Sequence, residues 1–142
     1  MRTSSDAALA SALRLAVMRL ARRMRSERPD SSLTLSQLSA LATLGRHGPL
    51  TPSELAGHER VQPPSMTRLA ARLETAGFLT RTDHPTDGRQ VLLAVSASGV
   101  GLLREDRRRR EAWLAQRLRE LDADERAVLD RAAAILDRLA GA

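Results

Sequence analysis

The stretch PPSMTRLAARLETAG, residues 63–77, contains the pattern on which the rest of the fold depends. Apolar residues recur along it at helical spacing: Met66, Leu69, Ala70 and Leu73. This i, i+3, i+4, i+7 order predicts a helix that buries one face. Two prolines open the stretch, where a first helical turn tolerates proline. Gly77 is placed to end the helix in a left-handed conformation.

The opposite side of this predicted helix carries small, hydroxylated and basic residues: Pro64, Ser65, Thr67, Arg68 and Arg72. Small residues near a helix start allow close approach to DNA, and arginine binds guanine O6 and N7 or a phosphate. Arg68 and Arg72 are four residues apart and therefore share a face. We interpret these five residues as a DNA recognition surface. Either arginine, taken alone, could equally be a solvated residue on a helix exterior.

The two helices predicted immediately before this one each begin with a capping box. The boxes are TLSQ, residues 34–37, and TPSE, residues 51–54. In each, the threonine accepts a hydrogen bond from the main chain three residues on, and the Gln or Glu reaches back. The first helix is predicted to end near Gly45. The second is predicted to be short because Gly57 follows its apolar residues.

A β-hairpin is predicted after Gly77. Its strands are residues 78–82 and 91–95, and the segment HPTDG, residues 84–88, has turn chemistry. A hairpin beside a recognition helix is a wing, which can reach a neighbouring groove of DNA.

Four residues of the wing are predicted to contact DNA: Arg81, His84, Asp87 and Arg89. Asp87 is expected to orient Arg89, which then enters a minor groove or binds a phosphate. The alternative is an ion pair that stabilises the hairpin, worth well under about 1 kcal/mol if exposed.

Helices flank this central part on both sides. An amphipathic helix is predicted from residue 5 to about residue 27, followed by a loop at residues 29–32. Ser96 is placed to cap a long helix, and the pair Asp122 and Glu125 forms a capping box for the last one. The apolar stripes on these helices exceed what one small winged domain can cover, which predicts a partner.

The predicted fold class is therefore mainly α, in α+β form: a winged helix-turn-helix with flanking dimerisation helices. Three segments follow: residues 1–33, an N-terminal dimerisation helix and loop; 34–98, the winged helix-turn-helix DNA-binding domain; and 99–142, the C-terminal dimerisation helices. The chain of 142 residues is long enough for one domain with a modest core.

The formal charge of +6 favours polyanionic partners, either nucleic acid or an anionic membrane. All of its basic residues are arginine, and the excess lies mostly in residues 1–33, with seven arginines against three acidic residues. Residues 34–98 hold six against five. Binding to DNA must therefore depend on where the arginines are placed. The N-terminal arginines could flank DNA, line an anion pocket or solvate their helix.

Several classes of function are excluded by the composition. Without cysteine there is no disulfide, thiolate metal site or thiol nucleophile. There is no nucleophile–base pair, phosphate loop or histidine pair at metal-ligand spacing, so no catalytic residue, metal or cofactor is predicted, and the protein is not expected to be an enzyme. No apolar run approaches the length of a membrane span, and no signal peptide is visible, so a cytoplasmic location is expected.

The order of these motifs resembles the MarR family of bacterial transcriptional regulators over nearly the whole chain. The matching pieces are LTLSQL, TPSELA, VQPPSMTRL, LETAGFL, DGR and VSASG. The chain departs from the family in Val95-Ser96, where Leu-Thr is usual, and in Pro64, where a small polar residue is commoner.

This resemblance implies a homodimer joined by the N-terminal helix and the last two helices. It implies binding to a pseudo-palindrome on double-stranded DNA, repression more often than activation, and release by a small, often aromatic, anionic effector. Two alternatives stay open at this stage: a winged-helix module that binds protein, and an architectural protein that binds DNA without sequence preference.

Overall fold

Eight elements follow one another in the computed structural model, which describes residues 2–27 and 33–141, with side chains from residue 5 onward. They are α1 (Arg2–Ser26), α2 (Leu35–His47), α3 (Pro52–Glu59), α4 (Pro63–Thr75), β1 (Leu79–Asp83), β2 (Val91–Val95), α5 (Ala97–Leu118) and α6 (Ala123–Leu139). The two strands form an antiparallel sheet. This architecture confirms the predicted fold class. The loop predicted at residues 29–32 lies outside the described residues.

The chain divides into two compact units. One, here called the winged unit, comprises residues 29–107; the other, the helical unit, comprises residues 1–28 and 108–142. The winged unit contains the predicted DNA-binding segment, residues 34–98, and extends into α5. That the flanking segments serve dimerisation stays a prediction.

The core lies in the winged unit. Its most completely buried large side chains come from three helices, α2, α3 and α4, and from strand β2: Leu41, Leu44, Leu55, Met66, Leu73 and Leu93. Leu50, between α2 and α3, exchanges two main-chain hydrogen bonds with Leu93 of β2, at 3.0 and 2.7 Å. The helices are thereby tied to the central residue of the second strand. Truncating such a leucine to alanine typically costs about 2–5 kcal/mol.

The helix starts agree with the predicted capping boxes. The main-chain N–H of Gln37 donates to Thr34 Oγ1 at 3.2 Å, and Gln37 Oε1 accepts from the Thr34 N–H at 2.9 Å. In the second box the main-chain N–H of Glu54 donates to Thr51 Oγ1 at 3.1 Å, and Glu54 Oε1 accepts from the Thr51 N–H at 3.0 Å. The main-chain N–H of Thr51, and then its hydroxyl, hold the pKa of Glu54 below its ordinary value. The box of Asp122 and Glu125 opens α6 in the same way.

Helix α2 ends two residues beyond Gly45, and α3 is short as predicted, although neither Gly45 nor Gly57 ends its helix. Helix α2 continues past Gly45 to His47 and ends on Gly48, which has a φ of 78°. Gly45 is instead a site of close approach, because a Cβ there would lie 3.1 Å from Leu103 Cδ1. Helix α3 runs through Gly57 and ends at Arg60, whose φ of 54° is left-handed. A glycine therefore ends a helix here only where the backbone turns left-handed.

Gly77 ends α4 as predicted, through a Schellman motif. Its φ is 85°, its N–H donates to Glu74 O, and the N–H of Phe78 donates to Leu73 O, both at 3.0 Å. Because Phe78 completes this motif, β1 begins at Leu79, one residue later than predicted.

The residue that caps the start of α5 is hydrogen-bonded to the residues that follow α4. Ser96 Oγ accepts the N–H of Gly99 at 3.1 Å, which confirms Ser96 as the cap, and donates to Gly77 O at 2.5 Å. The N–H of Ser96 donates to Phe78 O at 3.0 Å. Gly99 is buried against this junction, and a Cβ on it would collide with Phe78 O and lie 2.6 Å from Val95 Cγ1.

The helical unit has a different character, because each of its described side chains is exposed or half-buried. Large apolar residues are exposed on both α1 and α6: Leu9, Leu13, Leu15, Val17, Met18, Leu20, Val128, Leu129, Ile135, Leu136 and Leu139. Arg23 and Arg117 place their guanidinium groups over the Trp113 ring, at 5.3 and 5.5 Å from its centroid. No helix in the described part of the chain combines the length and apolarity that crossing a membrane requires.

Gly99→Ala should destabilise the winged unit by about 1–3 kcal/mol, because the added methyl overpacks the junction between α4 and α5. Gly101→Ala, two residues along the same helix, meets open space and should stabilise by roughly 0.5–1 kcal/mol. Urea unfolding monitored by circular dichroism measures both. Equal effects of the two substitutions would show that the junction is not tightly packed.

Candidate nucleic-acid interface

Helix α4 buries one face and leaves the other free. Met66, Ala70 and Leu73 are at most 1% exposed, and Leu69 is half-buried. The five residues of the predicted recognition surface are all exposed: Pro64, Ser65, Thr67, Arg68 and Arg72. The structure therefore brings these residues together on one side of one helix, while the core holds the other side.

The first turn of α4 lacks the donors that a helix usually presents at its start. Pro63 and Pro64 occupy the first two positions, and Gln62 makes no side-chain cap. Of the first three helical residues, only Ser65 carries an N–H group. The start of α4 is therefore a poor place to bind a phosphate through main-chain amides. It presents apolar rings instead, which fit apolar base edges such as the thymine methyl group.

Thr67 has only part of its hydrogen-bonding capacity available to a ligand. Its hydroxyl donates to Pro63 O at 3.0 Å within the helix. A threonine hydroxyl has one hydrogen, so in this arrangement Thr67 can only accept. Toward DNA it offers an acceptor for the amino group of adenine or cytosine, and a methyl group for thymine.

The two arginines of α4 border a groove that also involves the start of α2. This α2–α4 groove has a volume of about 230 Å3 and is lined by Thr34, Ser36, Gln37, Ser65, Arg68, Leu69 and Arg72. Arg68 Nη2 lies 3.5 Å from Ser65 Oγ, which turns its guanidinium back along the helix. Sequence reasoning missed the contribution of α2, because the contact joins residues about thirty positions apart.

In the wing, Arg81 is held by the protein itself. Its Nε lies 2.9 Å from Glu74 Oε2, and both side chains are about two-fifths exposed, at 39% and 43%. The pair ties β1 to the last turn of α4, although an ion pair this accessible contributes at most about 1 kcal/mol. Glu74 was not among the predicted site residues; only the folded hairpin brings it to Arg81.

His84 and Asp87 shape the wing loop. The Nδ1 atom of His84 accepts the N–H groups of Thr86 and Asp87, at 3.2 and 3.1 Å, which leaves the ring hydrogen on Nε2. Asp87 Oδ1 in turn accepts the N–H of Arg89 at 3.1 Å. Asp87 thus contacts the main chain of Arg89, and the described structure gives no ion pair between the two side chains. The exposed Arg89 side chain projects from a loop fixed by these bonds.

His47 and His58 form a contact that the sequence did not indicate. Their rings stack with centroids 4.3 Å apart and an interplanar angle of 21°, at the ends of α2 and α3. Stacked rings do not converge their nitrogens on one point. Among the described residues, no group of histidine and acidic side chains could hold a metal ion.

Helices α3 and α4 form a helix-turn-helix, and its second helix, α4, is exposed, basic and next to a two-stranded hairpin. This combination defines a winged helix-turn-helix protein that binds DNA. The sequence model of the MarR family matches residues 33–91. An HTH-type transcriptional regulator of Mycobacterium leprae is 54% identical over 132 residues, which cover 93% of this chain and 92% of that protein. The HTH-type transcriptional repressor MdtR of Bacillus subtilis is 32% identical, over 82% of this chain and 78% of its own length.

Among solved structures, a transcriptional regulator from Pseudomonas aeruginosa superposes with a TM-score of 0.84 at 37% identity, covering 96% of this chain and 97% of its own. The chain belongs to the MarR family of transcriptional regulators.

Proposed function

We propose that the protein is a homodimeric repressor that binds a pseudo-palindromic operator in its own or neighbouring genes and leaves it when a small-molecule effector binds. The observation that supports the proposal most directly is the rotation of α4 about its axis, which decides which residues face the core and which face solvent. Burial of Met66, Ala70 and Leu73 turns the five recognition residues outward together, next to the wing. In this proposal α4 lies in the major groove, and Arg89 of the wing contacts a phosphate or the minor groove.

The dimer is supported by the apolar surface of α1 and α6. Leu9 is 58% exposed and Leu139 is 73% exposed, and the helical unit buries none of its described side chains within one protomer. Exposed apolar residues in such number are typical of a protein–protein interface. A second copy related by a two-fold axis would cover the same surface on both chains. It would also place two recognition helices roughly 34 Å apart.

Repression and release are supported by membership of the family. One relative, MdtR, is itself named a repressor, and many members release DNA when a small anionic compound binds. A protein seated on a promoter excludes polymerase, so binding alone is enough for repression. The effector in this proposal is an aromatic or otherwise apolar anion.

DNase I footprinting on the upstream region of the gene, with oligomeric state measured by sedimentation, tests the proposal. We expect a dimer that protects two half-sites about 10 base pairs apart and binds them at least about 10³-fold more tightly than random DNA. Equal affinity for both DNAs would identify an architectural binder. Absence of any footprint would favour a protein-interaction module.

Arg89→Ala should weaken operator binding and lower the slope of log K against log salt by about one for each protomer, because one phosphate or groove contact is lost. Arg126→Ala, which removes the same charge from the exposed surface of α6, is the matched control and should leave the slope unchanged. Fluorescence anisotropy at four salt concentrations gives both slopes. If the two variants behave alike, the wing does not contact DNA.

Thr67→Val should relax the sequence preference at one position of each half-site by about 1–3 kcal/mol, because valine keeps the shape but removes the acceptor. The salt slope should not change, since no charge is lost. Thr67→Ser, which retains the hydroxyl, should keep most of the preference for a base amino group. Competition against single-base operator variants measures this. Uniform weakening on every sequence would contradict base reading by Thr67.

A further inference from the structure

We propose that the α2–α4 groove seats one phosphate of the DNA backbone, so that the start of α2 is a third DNA-contacting element beside α4 and the wing. The inference rests on the proposed function and assigns a role that neither the recognition surface nor the wing supplies. Its basis is a juxtaposition: Arg68 and Arg72 of α4 line the same groove as Ser36 in the first turn of α2.

The charge of the groove suits a single anion. Arg68 and Arg72 stand one helical turn apart on an exposed face, where like charges repel. No acidic residue is present among the groove's described lining residues. An oxyanion between the two guanidinium groups would relieve this repulsion and accept charge-assisted hydrogen bonds. The hydroxyl groups of Ser36 and Ser65 add neutral donors on the two sides.

The first turn of α2 offers what the first turn of α4 lacks. Its capping box satisfies the N–H of Gln37, and the N–H of Leu38 donates to Thr34 O at 3.0 Å. The N–H groups of Leu35 and Ser36 come before these in the helix and have no intrahelical acceptor. They lie at the positive end of the helix dipole. Because Pro63 and Pro64 lack main-chain N–H groups, α4 keeps only the N–H of Ser65 in its first three residues, and the N–H of Ser36 in α2 adds a further amide donor at the groove.

A DNA phosphate fits this groove better than a free anion does, because of where the groove lies. It is open to solvent along the flank of α4, next to the residues placed to read bases. When a recognition helix lies in the major groove, its flanks face the sugar-phosphate backbone. Contacts of this kind fix the register of a protein on DNA without reading sequence. Arg68, which leans toward Ser65 and into the groove, would then bind phosphate and not guanine.

Ser36→Asp is the decisive variant. Ser36 occupies the second position of α2, where an acidic side chain favours the helix, so folding should be preserved while a negative charge enters the groove. We expect operator affinity to fall on the order of tenfold, the salt slope to fall by about one for each protomer, and the ranking of single-base operator variants to stay the same.

The matched control is Ser98→Asp. Ser98 is exposed at the second position of α5, in the same winged unit, and receives the same charge. It lies beside the junction at Gly77, which at 1.5 Å per residue is about 18 Å along the helix axis from Ser65 and about 7.5 Å from Arg72, the groove residue nearest to it in sequence. Affinity should therefore stay within about twofold of the wild-type value, and the salt slope should not change. Thermal unfolding of both variants verifies that each is folded at the assay temperature.

The outcomes separate this inference from the proposed function. If the wild-type protein leaves a footprint and Ser36→Asp binds DNA like Ser98→Asp, the groove assignment is overturned and the proposed function stands. A wild-type protein that binds no DNA overturns both. A parallel NMR titration with inorganic phosphate addresses the source of the anion. A shift of the Ser36 amide there, combined with unchanged DNA binding by Ser36→Asp, would assign the groove to a free anion and overturn the DNA contact.

Discussion

The proposed DNA-facing surface depends on the burial of three apolar side chains, Met66, Ala70 and Leu73. With these side chains in the core, the rotation of α4 about its axis is fixed, and with it the direction of every residue on the opposite face. The rotation is also fixed at the end of the helix. There Gly77 closes the last turn and accepts the hydroxyl of Ser96, so α4 cannot turn without breaking the start of α5. The recognition surface is therefore a by-product of core packing, and core substitutions can alter DNA binding without touching DNA.

Helix starts could be predicted from the sequence more reliably than helix ends: Gly77 was correctly predicted to end α4, whereas the last residues of α2 and α3 were not predicted. A capping box is local: Thr34 and Gln37 are three residues apart, and their chemistry alone defines the first turn. An end is decided by which residue adopts a left-handed backbone, and that depends on neighbours far along the chain. Gly45 looked like a stop but lies inside α2, where its small size admits Leu103, and the left-handed residue is Gly48. In α3 that residue is Arg60, which carries no sequence signal for the role.

The candidate site shows the same division between local and distant contacts. Periodicity alone placed Arg68 and Arg72 on an exposed face, because their position follows from the residues buried behind them. It could not foresee that Glu74 holds Arg81, nor that the start of α2 completes a groove with α4, since both contacts form only when separate elements pack. Asp87 was expected to orient Arg89 through its side chain. The structure instead gives it a bond to the main chain of Arg89, which fixes the loop and leaves the guanidinium free to move.

The chain contains arginine but no lysine, and this affects how its binding to DNA can be regulated. A guanidinium keeps its charge at any pH a cell reaches, and it is not a substrate for lysine acetylation. The positive charge of the arginines on α4 and the wing therefore cannot be changed by pH or by acylation of the chain. In the proposed dimer, DNA binding can still be changed by ionic strength, which sets how many counterions are displaced from DNA, and by the proposed effector, if it alters the spacing of the two recognition helices. In such a regulator the charge of the arginines stays constant, and DNA binding is regulated by changes in the shape of the protein.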